Sequence, residues 1–276
     1  MAKRTLFVSD LDGTLLNKET KISDTTADIL KRLIKEENLL FTIATARTPA
    51  TAVPMTEAID IQLPMIVMTG AAQWIRGEQR YVNATTLESD KVSRIIDICH
   101  NGGINPFVYG INENMLNVLH TDELNRQELS FVEERVNSPF KHFYLEKSIH
   151  AMDAVLMFAC NETEKIRAVH KLVQENVDCE AICYHDIYNE NQGFLEVFAP
   201  GTSKARAIRQ LAKDVDADKV VVFGDNLNDI SMLSIADVAV AMGNAYPEVK
   251  EVADTVIGDN DSDSVAKWIL ENYKFI

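Results

Sequence analysis

The sequence predicts an α/β protein with a three-layer core built on a parallel sheet and interrupted by an inserted α/β domain. Three observations carry this. Through about the first 80 residues, short unbroken apolar runs alternate with segments of helical periodicity, the pattern of parallel strands buried on both faces. The same rhythm returns from Lys204 to the C-terminus. Between them the texture changes to helices mixed with alternating strands. The expected division is a core of residues 1–83 and 191–276 with an insert of 84–190.

In order along the chain, Thr5 to Ser9 reads as the first strand. Ser23 is placed to cap a helix whose apolar stripe is Ile29, Leu30, Leu33 and Ile34. A second strand, Leu39 to Ala44, ends at Thr45-Ala46-Arg47, and a third, Met65 to Met68, ends at Thr69-Gly70. In the insert, Asp90 to His100 and Glu162 to Glu175 have helical spacing, whereas Phe107 to Tyr109, Ala154 to Ala159 and Glu180 to Tyr184 read as strands. The C-terminal part gives a helix at Lys204 to Val215, strands at Lys219 to Phe223 and Val238 to Met242, and a last helix at Asp263 to Asn272. Ligand sites of such sheets lie at the carboxyl ends of the strands.

The composition narrows the function. A chain of 276 residues with 46% hydrophobic and 25% charged residues is a folded protein, long enough for two domains and too apolar for disorder. There are 27 Lys+Arg against 42 Asp+Glu, a formal charge of −15, and residues 84–190 alone hold 9 basic and 18 acidic residues. That balance repels a phosphate backbone or an anionic bilayer, so nucleic acid and membrane surfaces are not expected as partners. A small ligand or a metal ion suits it better. Lys3 and Arg4 precede apolar residues, but Ser9, Asp10 and Asp12 interrupt the run before a secretory core is complete. No stretch approaches the roughly 18 uninterrupted apolar residues of a membrane span. With Cys99, Cys160, Cys179 and Cys183 in apolar segments, reduced thiols and a cytoplasmic location are expected. Cys179, Cys183 and His185 invite a zinc reading, but a four-residue gap in a strand-like run matches no zinc spacing well. No internal repeat or long Gly/Ser/Pro linker is present, so two close connections join core and insert.

The chemistry-bearing residues gather at strand ends. Asp10 and Asp12 follow the first strand in Asp-Leu-Asp-Gly-Thr, where Gly13 permits a sharp turn. Asp225, Asn228 and Asp229 follow another strand in Gly-Asp-Asn-Leu-Asn-Asp. Either segment alone reads better as an ordinary Asp/Asn turn than as a site. Together, converging carboxylates repel unless a hard cation sits among them, and oxygen ligands suit Mg²⁺. Thr45-Ala46-Arg47 offers a hydroxyl, backbone N–H groups and a guanidinium, and Lys204 opens a helix after Gly201-Thr202-Ser203. In one pocket these would supply a carboxylate nucleophile, a cation and fixed donors for phosphoryl transfer.

The ordered set Asp10-Leu-Asp-Gly-Thr14, Thr45, Lys204 in Pro200-Gly-Thr-Ser-Lys, and Gly224-Asp-Asn-Leu-Asn-Asp229 resembles the four motifs of the haloacid dehalogenase superfamily. The position of the insert between the second and third motifs, and Ala241-Met-Gly-Asn-Ala245, resemble its Cof-type sugar-phosphatase branch. The resemblance implies a Rossmann-like core with an α/β cap, and hydrolysis of a small phosphorylated metabolite, sugar phosphates above all. It makes Asp10 the nucleophile that forms an aspartyl-phosphate, and Asp12 the acid/base. It assigns Mg²⁺ to the Asp10 carboxylate, the Asp12 main-chain carbonyl and Asp225, with Asp229 orienting metal-bound water or Lys204. Thr45, Ala46, Arg47, Lys204 and Asn228 would hold the phosphoryl group. The chain departs from the branch's usual pattern at Ala46, Ala205 and Ser264, where Gly is common, and at Thr69, where Asn commonly precedes Gly-Ala.

Other polar and aromatic residues have plainer readings. His100, His120, His142, His150, His170 and His185 lie in or beside the insert, with no pattern that ties them to the carboxylates. Trp74, Tyr109 and Trp268 read as packing, although Trp74 follows the third strand and is placed to border a pocket. Arg94, Arg126, Arg135 and Arg167 read as helix-surface charges or as a grip for a second anionic group. Two alternatives stay open: a phosphomutase on the same core, and a non-catalytic phospho-acceptor or ligand sensor. Asp12 and the large insert weigh against the sensor. The expected state is a monomer or weak homo-oligomer.

Overall fold

The computed structural model describes residues 4–146, 152–185 and 189–276; His150 lies outside them. The chain divides into two compact units, Met1–Val82 with Ser203–Ile276, and Asn83–Thr202. In chain order the first unit begins with β1 (Thr5–Ser9), α1 (Asp24–Glu36), β2 (Leu40–Ile43), α2 (Pro49–Met55), β3 (Met65–Val67), β4 (Ala72–Ile75) and β5 (Arg80–Val82). The second unit holds α3 (Ser89–Asn101), β6 (Phe107–Asn112), β7 (Met115–His120), α4 (Arg126–Glu133), β8 (Lys141–Leu145), β9 (Leu156–Glu162), α5 (Thr163–Asn176), β10 (Glu180–His185) and β11 (Gln192–Phe198). The chain then returns through α6 (Lys204–Asp214), β12 (Lys219–Gly224), α7 (Ile230–Leu233), β13 (Val238–Ala241), α8 (Pro247–Val252), β14 (Thr255–Val256) and α9 (Ser264–Asn272).

The first unit is built on a parallel sheet in the order β14-β13-β12-β1-β2. All five residues of β1 are buried, as a strand covered on both faces requires. Ser23 accepts a hydrogen bond from Thr26 N and so caps α1, a device that contributes about 1 kcal/mol. The Leu30, Leu33 and Ile34 stripe of α1 is buried, and α1 packs on α9. The third expected strand behaves differently. Among the described residues, β3 is joined to the end of β2 by the isolated Ala44–Ile66 bridge and instead opens a separate antiparallel sheet, β3-β4-β5. Buried Trp74 meets Tyr81 edge-on across β4 and β5, which makes Trp74 a core residue and not a pocket border.

The second unit has a six-stranded sheet in the order β10-β11-β9-β6-β7-β8, antiparallel except for β7 and β8. Helices α3 and α5 bury Val92, Ile95, Ile96, Ile166, Val169 and Val173 with Val108, Met157, Ala159, Leu195 and Val197 of the sheet. On the opposite face Phe131 of α4 stacks on Phe158 and lies against Phe107. The expected return to the core at residue 191 comes later, at Ser203, because β11 pairs with β9 and β10 in this sheet. Among the described residues no helix is long and apolar enough to cross a membrane.

Candidate active site

The site forms where β1, β2 and β12 of the first unit end. Asp10 N donates to Phe223 O and Ala44 N donates to Ser9 O, so the strand ladders run on into the turns that carry the polar residues. Asp10, Asp225 and Asp229 are buried, and one carboxylate oxygen from each lies within 4.8 Å of the other two. Lys204, 2% exposed at the start of α6, donates from Nζ to Asp10 Oδ1 at 2.5 Å and to Asp229 Oδ1 at 2.8 Å. Asp229 Oδ2 accepts from the main-chain N–H groups of Asp225 and Asn226, both at 3.1 Å. Asp229 is thereby fully engaged and fixes Lys204.

Two glycines allow the close packing. Gly13 has φ +76°, and a Cβ there would overlap the Asp225 carboxylate. Gly70, at φ +93°, passes so near Ser203 O that a side chain would collide with the main chain entering α6. Just before it, Met68 and Thr69 also take left-handed backbone, at φ 49° and 57°. For β-branched Thr69 this is an uncommon conformation. Its N–H donates to Thr45 O at 3.0 Å, which ties this turn to the end of β2.

Burial dominates the electrostatics. It pushes the Asp10 carboxyl upward, against the pull of the Lys204 ammonium and with the repulsion of Asp229. Asp225 is pushed up to about 6, again chiefly by burial, while the Thr14 hydroxyl bonded to its Oδ1 at 2.7 Å pulls the other way. For Lys204 burial acts to lower the value, but Asp10 and Asp229 outweigh it and the ammonium is held. Three carboxylates face one ammonium, a deficit of positive charge in a buried place. This donor set of hard oxygens fits a divalent cation.

Asp12 stands outside that cluster. It is exposed, and Arg47 grips it with two hydrogen bonds of 2.7 Å, Nε to Oδ2 and Nη2 to Oδ1. Arg47, expected among the phosphate donors, is thus turned toward the second carboxylate of the Asp-x-Asp pair. Its own N–H donates to Thr45 Oγ1 at 3.1 Å. Thr45 is buried, Ala46 is exposed beside it, and Asn228 is exposed on the turn after β12.

A family model described as haloacid dehalogenase-like hydrolase matches residues 7–269. The chain belongs to that family. Over 271 residues it is 26% identical to the 5-amino-6-(5-phospho-D-ribitylamino)uracil phosphatase YcsE of Bacillus subtilis, covering 96% of each chain. It is 29% identical to the pyridoxal phosphate phosphatase YbhA of Escherichia coli, covering 95% of this chain and 96% of that one. Among solved structures, a haloacid dehalogenase-like hydrolase from Bacteroides thetaiotaomicron shares the fold with a TM-score of 0.77 at 21% identity, over 98% of this chain and 99% of the other. The expected enzyme class, a haloacid dehalogenase-type phosphatase, agrees with these relatives.

Some contributors to the haloacid dehalogenase-like site carried no sequence assignment. Thr14 belongs to the Asp-Leu-Asp-Gly-Thr run, and its hydroxyl holds Asp225. Asn244, in the Ala-Met-Gly-Asn-Ala run, donates to Gly13 O at 2.8 Å and steadies the turn between the two acidic residues and Thr14. Arg76 donates to Thr56 O at 3.0 Å and Ile59 O at 2.9 Å, anchoring the end of α2 behind the Arg47 loop. Nothing in the sequence near Arg76 signals that contact. The remaining candidates are held elsewhere: Arg94 donates to Asn176 O, Arg167 pairs with Glu164, and Trp268 packs edge-on against Phe223. Cys179 and Cys183 are free and, with His185, form no metal group among the described residues.

Proposed function

We propose that the chain is a Mg²⁺-dependent phosphatase that hydrolyses small phosphorylated metabolites, sugar phosphates among them, through an aspartyl-phosphate on Asp10. The observation that carries this reading is the buried cluster in which Lys204 bonds Asp10 and Asp229 while Asp225 adds a third carboxylate. The names of the two relatives, which act on a phosphoribityl compound and on pyridoxal phosphate, support a small phosphorylated substrate.

An Asp10 carboxylate oxygen attacks phosphorus, the bond to the leaving oxygen breaks, and Asp12, released by Arg47 at one oxygen and protonated there, donates the proton that the leaving oxygen takes up. Water then attacks phosphorus, the Asp10–phosphorus bond breaks, and the water proton returns to Asp12. Lys204 holds the Asp10 carboxylate in place and neutralises part of the arriving charge. Thr45, the Ala46 and Arg47 main chain and Asn228 supply donors to the phosphoryl oxygens. Asp10, Asp225 and the Asp12 carbonyl would hold Mg²⁺, which supplies the positive charge a phosphate dianion needs beside three carboxylates. The second unit acts as the cap that selects the leaving group, and free buried thiols suit a cytoplasmic enzyme. The test is phosphate release from a panel of sugar, nucleotide and pyridoxal phosphates with Mg²⁺. Release from several small phosphomonoesters, abolished by chelation and restored by Mg²⁺, is the expected result. No release from any of them would refute the reading.

A further inference from the structure

Among the described residues, the second unit buries a cation, Lys141, that no carboxylate pairs with. On the sheet face away from α3 and α5, the register places Lys141 beside Leu116, Phe143 beside Val118, and Val118 beside Tyr109. Lys141 is only 5% exposed, and its Nζ lies 5.5 Å from the Tyr109 ring centroid and 5.9 Å from that of Phe143. Among the described residues it has no hydrogen-bond acceptor and no carboxylate partner. The charge that acts on it is of the same sign: Arg135, whose guanidinium sits 4.3 Å over the Phe131 ring. Arg135 Nη1 donates to Phe131 O and to Glu134, which leaves Nη2 and Nε for another acceptor.

Such an arrangement is unfavourable as it stands. An ammonium on a side chain this deeply buried keeps only a small part of its hydration, and two aromatic faces return only part of the loss. Burial, with Arg135 acting in the same direction, lowers Lys141 to about 8. A leucine or methionine in the same place would pack without that penalty, so core packing does not account for the residue. The buried carboxylates of this unit are treated differently, and Glu196 accepts from the Tyr184 hydroxyl. Glu128 is fully buried but accepts from Asn105 N, Asn105 Nδ2 and Asn125 N. What Lys141 lacks is an oxyanion.

We propose that Lys141, with Arg135, forms a second anion site in this unit, one that holds a phosphate or carboxylate group of a small metabolite over the Tyr109 and Phe143 rings. The anion has two sources: a second group of the hydrolysed metabolite, which rests on the phosphatase reading, or a separate effector molecule.

The full chain is titrated calorimetrically in EDTA with fructose 1,6-bisphosphate, 6-phosphogluconate and fructose 6-phosphate, as wild type, Lys141→Met and Arg135→Gln. The expected result is that at least one two-anion ligand binds the wild type about tenfold or more tighter than fructose 6-phosphate, and that Lys141→Met reduces the preference below about twofold. Arg135→Gln, at a partly exposed position, should reduce it by several-fold. An undiminished preference in both variants, or no preference in the wild type, overturns the proposal. With Mg²⁺, competition between the two-anion ligand and p-nitrophenyl phosphate assigns the anion to the substrate, and altered turnover without competition assigns it to an effector. Failure of the wild type to release phosphate from p-nitrophenyl phosphate would instead sink the phosphatase reading, whatever the titrations give.

Discussion

Arg47 holds both carboxylate oxygens of Asp12, 35 residues earlier in the chain, at 2.7 Å each. Only a guanidinium can make that planar two-point contact, so lysine is no substitute at this position. Asp12 is thereby aimed by a residue whose loop is fixed to Thr45 and, through α2, to Arg76. Arg47→Lys should lower kcat on an alkyl phosphate by about tenfold or more, and less on an activated aryl phosphate whose leaving group needs little protonation. Asp12→Ala should show the same contrast more strongly. Steady-state kinetics on the two substrate types check both, and wild-type turnover of the alkyl phosphate by Asp12→Ala would remove Asp12 from the mechanism.

The metal dependence has its own signature. Asp225→Asn keeps the shape of the site and its bond from Thr14 but removes one negative oxygen donor. It should raise the Mg²⁺ concentration needed for half-maximal activity by about tenfold, with a smaller change at saturating Mg²⁺. A Mg²⁺ titration of phosphate release decides this. An unchanged Mg²⁺ requirement would take Asp225 out of the metal's ligands.

Thr69 is a stability prediction. It holds φ 57° and ψ 22°, a conformation that asparagine tolerates far better than a β-branched residue. Thr69→Asn should raise stability by about 0.5–1 kcal/mol, read as a higher urea midpoint at unchanged slope. A lower midpoint would mean that contacts of the buried threonine side chain outweigh the backbone strain.

Glu196 supplies a pH dependence within the second unit. Burial pushes its carboxyl up to about 7, although the Tyr184 hydroxyl bonded to Oε1 at 3.1 Å pulls it down. The folded value lies above the ordinary one, so this group favours the folded state at low pH. Its contribution is lost as pH rises from about 4.5 through 7. Glu196→Gln should therefore gain thermal stability relative to wild type as pH rises from 5 to about 8. Melting curves across that range test it; a difference that stays flat or shrinks would contradict the assignment.

Much of this was legible in the sequence because it is local. An unbroken apolar run followed by Asp-Leu-Asp-Gly-Thr marks both β1 and the turn it feeds, and Ser23 three residues before Thr26 marks a helix start. Lys204 was readable as the first residue of a helix, and its approach to Asp10 and Asp229 follows from where parallel strands end. What the sequence concealed depends on partners far away. The β4 and β5 strands are four and three residues long, too short for their period to stand out. The extent of the insert turned on whether β11 pairs with β9 and β10 or with the core, which periodicity does not encode. The grip of Arg47 on Asp12, the left-handed Met68 and Thr69, and the burial of Lys141 in a strand flanked by exposed residues likewise have no local signal.

Every step proposed for the site depends on the phosphoryl group passing through Asp10. The most direct test is acid quench of the enzyme during turnover of a phosphomonoester with Mg²⁺, then borohydride reduction and peptide mass spectrometry. An acyl phosphate is reduced to the alcohol, so homoserine is expected in place of Asp10 in samples quenched with substrate. None is expected without substrate, and Asp10→Asn should lose about 10³-fold or more of its turnover. Full turnover with Asp10 never modified, or an active Asp10→Asn enzyme, would remove Asp10 as the nucleophile.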